Sequence, residues 1–315
     1  SSFQDAEENR NLMNSITGAI GGIGVNVSTA DPTQLVIMNP IKGSPADRAG
    51  LEAGDIITKI DDVEVSKISQ AHAISILRGD PGTKVTVGIY RPKTKKEMSF
   101  HLIRESINVP TVQGSSIPGN SDIALIYISS FSMNTGDELE QVFRDLDIDK
   151  YKGFIIDLRY DPGGEMNSAI KVASQLVPEG DIVHIVDNND DTTTLESTAT
   201  YIDKPFVVLI NEYSASASEI VAGAVKDYGS GTLVGTKTYG KGVVQTVFPL
   251  DNNTSVRLTT NKYLTPKKRD INQKGINPDI EVELGEHEKP TILPDEPEFD
   301  SQLAKAVQVL KEKIQ

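Results

Sequence analysis

Four short apolar runs, interleaved with stretches of helical period, constrain this chain more than any other feature. Ile123–Ile128, Gly153–Leu158, Pro205–Ile210 and Thr232–Val234 are too short for buried helices and read as buried strands. Asp137–Leu146, Ser168–Leu176 and Ala217–Lys226 read as the helices that go with them. Such alternation predicts an α/β (α+β) core, a layered sheet flanked by helices.

Upstream the pattern changes. From Gly22 to about Arg104, short strands and turns follow one another at Ile23–Val27, Leu35–Met38, Ile56–Ile60, Val85–Tyr90 and Met98–Ile103. Between them lie a short helix closed by a glycine, Ser44–Leu51, and an amphipathic one, Ser69–Leu77. This predicts a small β-rich domain inserted before the core, with boundaries at residues 1–20, 21–105 and 106–315. Residues 1–20 carry a short helix at Ala6–Met13, and Pro110–Asn120 reads as a connector. Asn188–Thr200 is polar and reads as a turn region. Glu281–Asp300 is acidic and proline-bearing, and Ser301–Ile314 reads as an amphipathic helix.

With 315 residues, 37% of them hydrophobic, the chain has room for two cores. Its 45 acidic against 31 basic residues give a net charge of -14, which repels a phosphate backbone and argues against nucleic acid as a partner. The absence of cysteine excludes disulfides, thiolate metal sites and a cysteine nucleophile. His72, His101, His184 and His287 are too dispersed to form a metal-binding motif, so no metal and no cofactor is expected. No apolar run approaches the ~18 to 20 residues of a membrane span, and the first residues lack a signal-peptide layout. Either a cytosolic protein or a soluble piece of a longer one fits.

The chemistry concentrates in Asn211–Gln245. Ser216-Ala217-Ser218-Glu219 has the spacing of a helix capping box, which alone accounts for it structurally. The same position suits a nucleophile, because free N–H groups and the helix dipole at a helix start favour a developing oxyanion. A serine needs a base, and no histidine is near. Lys241, between Gly240 and Gly242, is the candidate. A lysine titrates ordinarily at about 10.4 and must come down to about 7 or 8 to serve, at a cost of roughly 4 kcal/mol. Without such burial it is only a surface charge. Gly235–Lys241 also fits half of a phosphate-binding loop, yet Gly242 stands where Ser or Thr would hold magnesium, and the following valines suit a strand.

Two resemblances extend this reading. The run G-S-P-A-D-R-A-G-L-E-A-G-D-I-I-T-K-I-D from Gly43, with L-R-G-D-P-G-T-K-V-T-V from Leu77, resembles a PDZ domain. That resemblance implies a peptide added as an extra strand, its terminal carboxylate bound by the loop Gly22-Ile23-Gly24-Val25. Asp157–Gly164 (D-L-R-Y-D-P-G-G), Ser214–Glu219 (S-A-S-A-S-E), Gly235–Gln245 (G-x-x-T-Y-G-K-G-x-V-Q) and Leu258–Pro266 through Asp279 resemble the carboxy-terminal processing peptidases, the tail-specific serine proteases. The resemblance implies a serine endopeptidase with Ser216 as nucleophile, Lys241 as base, Gln245 orienting that lysine, and the N–H groups of Gly164 and Ala217 as oxyanion hole. It implies protein substrates with accessible C-termini and an exported protein, often anchored to a membrane by an N-terminal helix missing here. Arg78, ending the second PDZ helix, is a candidate for relaying peptide occupancy, or else a solvated helix-end cation. Two positions depart from the family pattern: Asp161 replaces an asparagine, and Lys267-Lys268 stands before Arg269. Asp161 would put a carboxylate beside the oxyanion site, or else face outward. The alternative to an enzyme is a peptide- or ligand-binding protein on the same fold.

Overall fold

The computed structural model describes residues 1–28, 30–31, 33–198, 201–291 and 300–314. They pack as two compact units, Ser1–Gly18 with Pro110–Gln315, and Ala19–Val109.

The first unit is mixed α/β. Its six-stranded sheet runs in the order Val112–Ile117, Asn120–Ile128, Gly153–Asp157, Phe206–Ile210, Thr232–Gly235, Ile280–Glu281. The first pair is antiparallel and each later pair is parallel. Side chains alternate between the faces. Ile126, Phe154, Ile156, Val208 and Ile210 join a core with the helices Thr135–Leu146, Met166–Leu176 and Ala217–Tyr228. Leu125, Ile155, Val207 and Leu209 pack instead against Leu303, Ala306 and Leu310 of the helix Ser301–Lys313. Burying both faces explains why the strands read as continuous apolar runs.

Two readings need correction. Part of the expected connector is the edge strand Val112–Ile117, paired with Asn120–Ile128 across a hairpin. The polar Asn188–Thr200 segment contains the strand Thr192–Glu196, antiparallel to Asp181–Val186. Its three threonines are polar but β-branched, and the pleated backbone accommodates them. Ala199 and Thr200 lie outside the described residues, as does 292–299 of the acidic tract. A second, antiparallel sheet is built on Ser255–Leu264, which pairs with Ser2–Gln4, Val243–Pro249 and Asp181–Val186.

The C-terminal helix is tied to the central sheet by a buried charge cluster. Arg159 donates to Asp157 Oδ2 at 2.6 Å, to Asp300 Oδ1 at 3.1 Å and to Gln302 Oε1 at 3.1 Å. Asp300 also caps the helix, accepting from Leu303 N–H at 2.9 Å. All three charged residues are buried, so removing Arg159 would leave two buried carboxylates without their cation. No helix among the described residues is long and apolar enough to cross a membrane.

The second unit opens and closes on the antiparallel pair Ala19–Gly22 and Glu105–Asn108. Its main sheet runs Val25–Ser28, Leu35–Pro40, Ile56–Ile60, Lys84–Arg91, Lys96–Ile103 around a core of Ile37, Ile57, Ile60, Val87 and Ile89, with Ala73 and Leu77 from the helix Gln70–Leu77.

Candidate active site

In an open parallel sheet, the loops at the carboxyl ends of the strands form the natural site. Three such loops carry the chemistry here. Asp161–Gly164 follows Gly153–Asp157, Ser216 follows Phe206–Ile210, and Lys241 follows Thr232–Gly235. Ser216, Ala217, Gly164, Lys241 and Gln245 all line one cavity of about 290 Å³, together with Glu165, Arg257, Tyr263 and several apolar side chains.

The three serines of S-A-S-A-S are distinguished by their hydrogen bonds. Ser214 is buried, donating to Leu158 O at 2.8 Å and accepting from Asn211 N–H at 2.9 Å. Ser218 is also buried and donates to Asp161 O at 3.0 Å. Both hold the loop together. The Ser216 side chain stands in capping-box position toward the Glu219 N–H without a full cap hydrogen bond, donates to no group among the described residues, and sits on a strained backbone, with φ 58° and ψ -113°. A non-glycine residue at positive φ costs on the order of 1–3 kcal/mol and recurs at functional sites.

The expected box Ser216–Glu219 does more than cap a helix. Glu219 is fully buried, and its carboxylate accepts from Ser216 N–H at 3.0 Å, Thr238 Oγ1 at 2.6 Å, Gly240 N–H at 2.7 Å and Lys241 N–H at 2.8 Å. One side chain therefore fixes the serine turn to the lysine loop. Tyr263 adds a second tie, its hydroxyl lying between the Ser216 carbonyl, 3.0 Å away, and the Lys241 carbonyl. Burial pushes the phenol well above its ordinary value, so it stays a proton donor. Neither residue was assigned a role in the site from sequence, although both stand inside the motifs quoted for it.

Lys241 is half-buried, and its titration is lowered from the ordinary lysine value, first by desolvation and then by repulsion from Arg257, with Glu219 opposing. Its ammonium has no hydrogen-bond or ion-pair partner among the described residues. Gln245 lines the cavity, but among those residues its amide makes no hydrogen bond to Lys241. Beyond Lys241 the chain enters the strand Val243–Pro249 rather than a helix, which removes the phosphate-loop reading.

The two glycines of P-G-G owe their identity to close approach. A Cβ on Gly163 would meet Ala215 O at 2.4 Å and Ala217 N at 2.7 Å, and one on Gly164 would meet Phe131 O at 2.0 Å. Neighbouring bonds use the Glu165 N–H and Gly163 carbonyl toward Phe131, at 2.8 and 3.1 Å, and leave the Gly164 N–H uncommitted among the described residues. Asp161 does not face outward. It is fully buried, Oδ1 accepts from Gly163 N–H at 2.8 Å, and Oδ2 has no hydrogen-bond partner among the described residues. Burial raises its carboxyl well above the ordinary range and favours the neutral form, so it adds no charge beside Gly164 until that raised value is passed.

Two exposed tyrosines stand on the loops that carry Asp161 and Ser216. Tyr160, at φ 61°, and Tyr213 both donate their N–H groups to Asn211 Oδ1, at 3.0 and 3.1 Å, and their rings stack 5.1 Å apart.

In the second unit, Gly22, Ile23, Gly24 and Val25 line a largely apolar cavity of about 300 Å³ with Ile74, Leu77 and Arg78. The loop is braced by its carbonyls: Ile23 O accepts from Ala46 N–H at 2.9 Å and Gly24 O from Ile41 N–H at 2.9 Å. Arg78 is not the cation that caps the Gln70–Leu77 helix. Arg104 does that, donating to Ile76 O at 2.7 Å and Leu77 O at 3.1 Å. Gly79 leaves room for it, since a Cβ there would lie 2.9 Å from the Arg104 side chain.

Comparison with known proteins places this geometry. Residues 122–282 match the family described as Peptidase family S41, and residues 36–91 match the PDZ domain. The chain is 37% identical over 290 residues to a carboxy-terminal-processing protease of Bartonella bacilliformis, covering 90% of this chain and 66% of the relative. It is 38% identical over 284 residues to a carboxyl-terminal-processing protease of Synechocystis sp., covering 88% and 66%. It thus spans 66% of the length of either bacterial relative. Among solved structures it resembles the photosystem II D1 C-terminal processing protease, with a TM-score of 0.51 and 29% identity, over 89% of this chain and 77% of that one.

Proposed function

The chain belongs to peptidase family S41 and contains a PDZ domain, and we propose that it is a serine endopeptidase that cuts polypeptides by a Ser-Lys mechanism after the PDZ unit engages a protein C-terminus. The observation that carries the proposal is the shared cavity. A serine hydroxyl that donates no hydrogen bond among the described residues, a desolvated lysine and the backbone of Gly164 and Ala217 line one space.

Ser216 Oγ attacks the scissile carbonyl carbon while Lys241 Nζ takes its proton. The tetrahedral oxyanion accepts hydrogen bonds from the Gly164 and Ala217 N–H groups, the latter also at a positive helix end. On collapse the C–N bond breaks, and the amine leaves with the proton from Lys241. Water then attacks the Ser216 ester, giving its proton to Lys241. Loss of the acid product returns that proton to Ser216. Gln245 is proposed to orient Lys241 once substrate fills the cavity, and Arg78 to relay peptide occupancy from the PDZ unit. We also propose an extracytoplasmic location.

The test is cleavage of an unstructured protein ending in a free apolar C-terminus. Wild type should cut, and Ser216→Ala and Lys241→Ala should each lose at least about a thousandfold in kcat/KM. Equal cleavage rates in all three would make the Ser-Lys mechanism wrong, and no cleavage by wild type would leave a binding protein.

A further inference from the structure

The cavity is lined by more basic than acidic side chains, in a chain that is acidic as a whole. In a protein of net charge -14, the ionic groups lining it are Lys241, Arg257 and Glu165. Glu165 is committed elsewhere. It caps the Met166–Leu176 helix, with Oε1 accepting from Asn167 N–H at 3.1 Å and Oε2 from Ser168 N–H at 2.7 Å. Glu219, behind the cavity, is committed to its four donors. Arg257 thus has no hydrogen-bond or ion-pair partner among the described residues. Its position is firm, because its strand pairs on both edges, with Val247 on one side and Ser2 on the other.

A guanidinium is a planar fork of donors suited to a carboxylate, and one held unpaired beside an apolar lining is prepared for an anion. We propose that Arg257 is a specificity-determining residue that binds a carboxylate of the polypeptide substrate close to the scissile bond. The proposal rests on the peptidase reading for the identity of the ligand. The same carboxylate chemistry has two sources, an acidic side chain flanking the cut or the α-carboxylate of a short tail. Arg257 lines the same cavity as Ser216 and Lys241, so an anion held there shares the space of the reacting atoms.

The experiment compares matched peptides on one enzyme, so that any change in Lys241 cancels in the ratio. One series carries a single Glu or Gln beside the cut and an amidated end. A second lacks acidic side chains and ends as free acid or amide at varied distance from the cut. Wild type should prefer the acid about tenfold in kcat/KM in one series, which identifies the source. Arg257→Gln should bring that ratio to about one, Arg257→Lys should keep part of it, and Arg257→Glu should invert it. No acid preference in wild type, or an unchanged preference in Arg257→Gln, overturns the proposal. If no peptide is cut at all, the peptidase reading fails separately. Calorimetric titration of the same peptides into Ser216→Ala, with and without Arg257→Gln, then decides by the same ratio of affinities.

Discussion

Two buried carboxylates, Glu219 and Asp161, stand near Ser216, the proposed nucleophile, and they are treated in opposite ways. Glu219 accepts four hydrogen bonds from the serine turn and the lysine loop, whereas Asp161 accepts one bond at Oδ1 and leaves Oδ2 empty. A buried carboxylate supplied with donors ties separate segments together. One without them is driven toward the neutral acid. The first region is a knot, and the second is a snug loop in which a neutral group suffices.

The largest expected effect breaks the knot. Glu219→Gln keeps the shape but turns one acceptor into a donor that faces N–H groups. Activity should fall at least a hundredfold, and stability by about 3 kcal/mol, through unsatisfied buried amides. Denaturant unfolding and peptide kinetics check both. A rate within threefold of wild type would mean the knot does not position Lys241.

Asp161→Asn should behave differently. In wild type, Asp161 has a folded value raised above the ordinary 3.8, so stability falls as pH rises from 3.8 until the folded value is passed. Above that value the carboxylate is charged beside Gly164, and kcat should fall as well. In Asp161→Asn both declines should vanish, because the amide has no proton to lose. If unfolding measured across pH keeps the same slope, the neutral-acid assignment is wrong.

The half-buried lysine of the cavity gives a smaller shift. Lys241 must be neutral to accept a proton, so kcat/KM rises with pH through its lowered value. Arg257→Gln removes repulsion, which raises the Lys241 value and should move this acid limb to higher pH. A limb that stays put would show that desolvation alone tunes the lysine. Smallest of all, Tyr263→Phe loses only the hydroxyl between two carbonyls. A cost of about 1 kcal/mol and a modest fall in kcat with KM unchanged are expected, measured by unfolding and kinetics.

The central sheet was legible because strands buried on both faces leave apolar runs, and the helices between them keep their period. Thr192–Glu196 was not, since its threonines satisfy a strand by branching rather than by hydrophobicity. The serine, the lysine and the glycine pair stood out by motif. Glu219 was visible as a capping residue, but its bonds to Thr238, Gly240 and Lys241 depend on two strand-end loops meeting in space. Arg257 carried no local signal at all. It enters the cavity through the register of Ser255–Leu264, a non-local property that no short window contains.

The stacked pair Tyr160–Tyr213 has a practical consequence. The chain contains no tryptophan and only nine tyrosines, so its near-ultraviolet spectrum is simple. Rings 5.1 Å apart and nearly parallel couple their transitions, and these two sit on the loops that lead to Asp161 and Ser216. Circular dichroism near the tyrosine band therefore offers an optical gauge of the alignment of those loops, without a label. Tyr213→Phe would supply the blank for reading it.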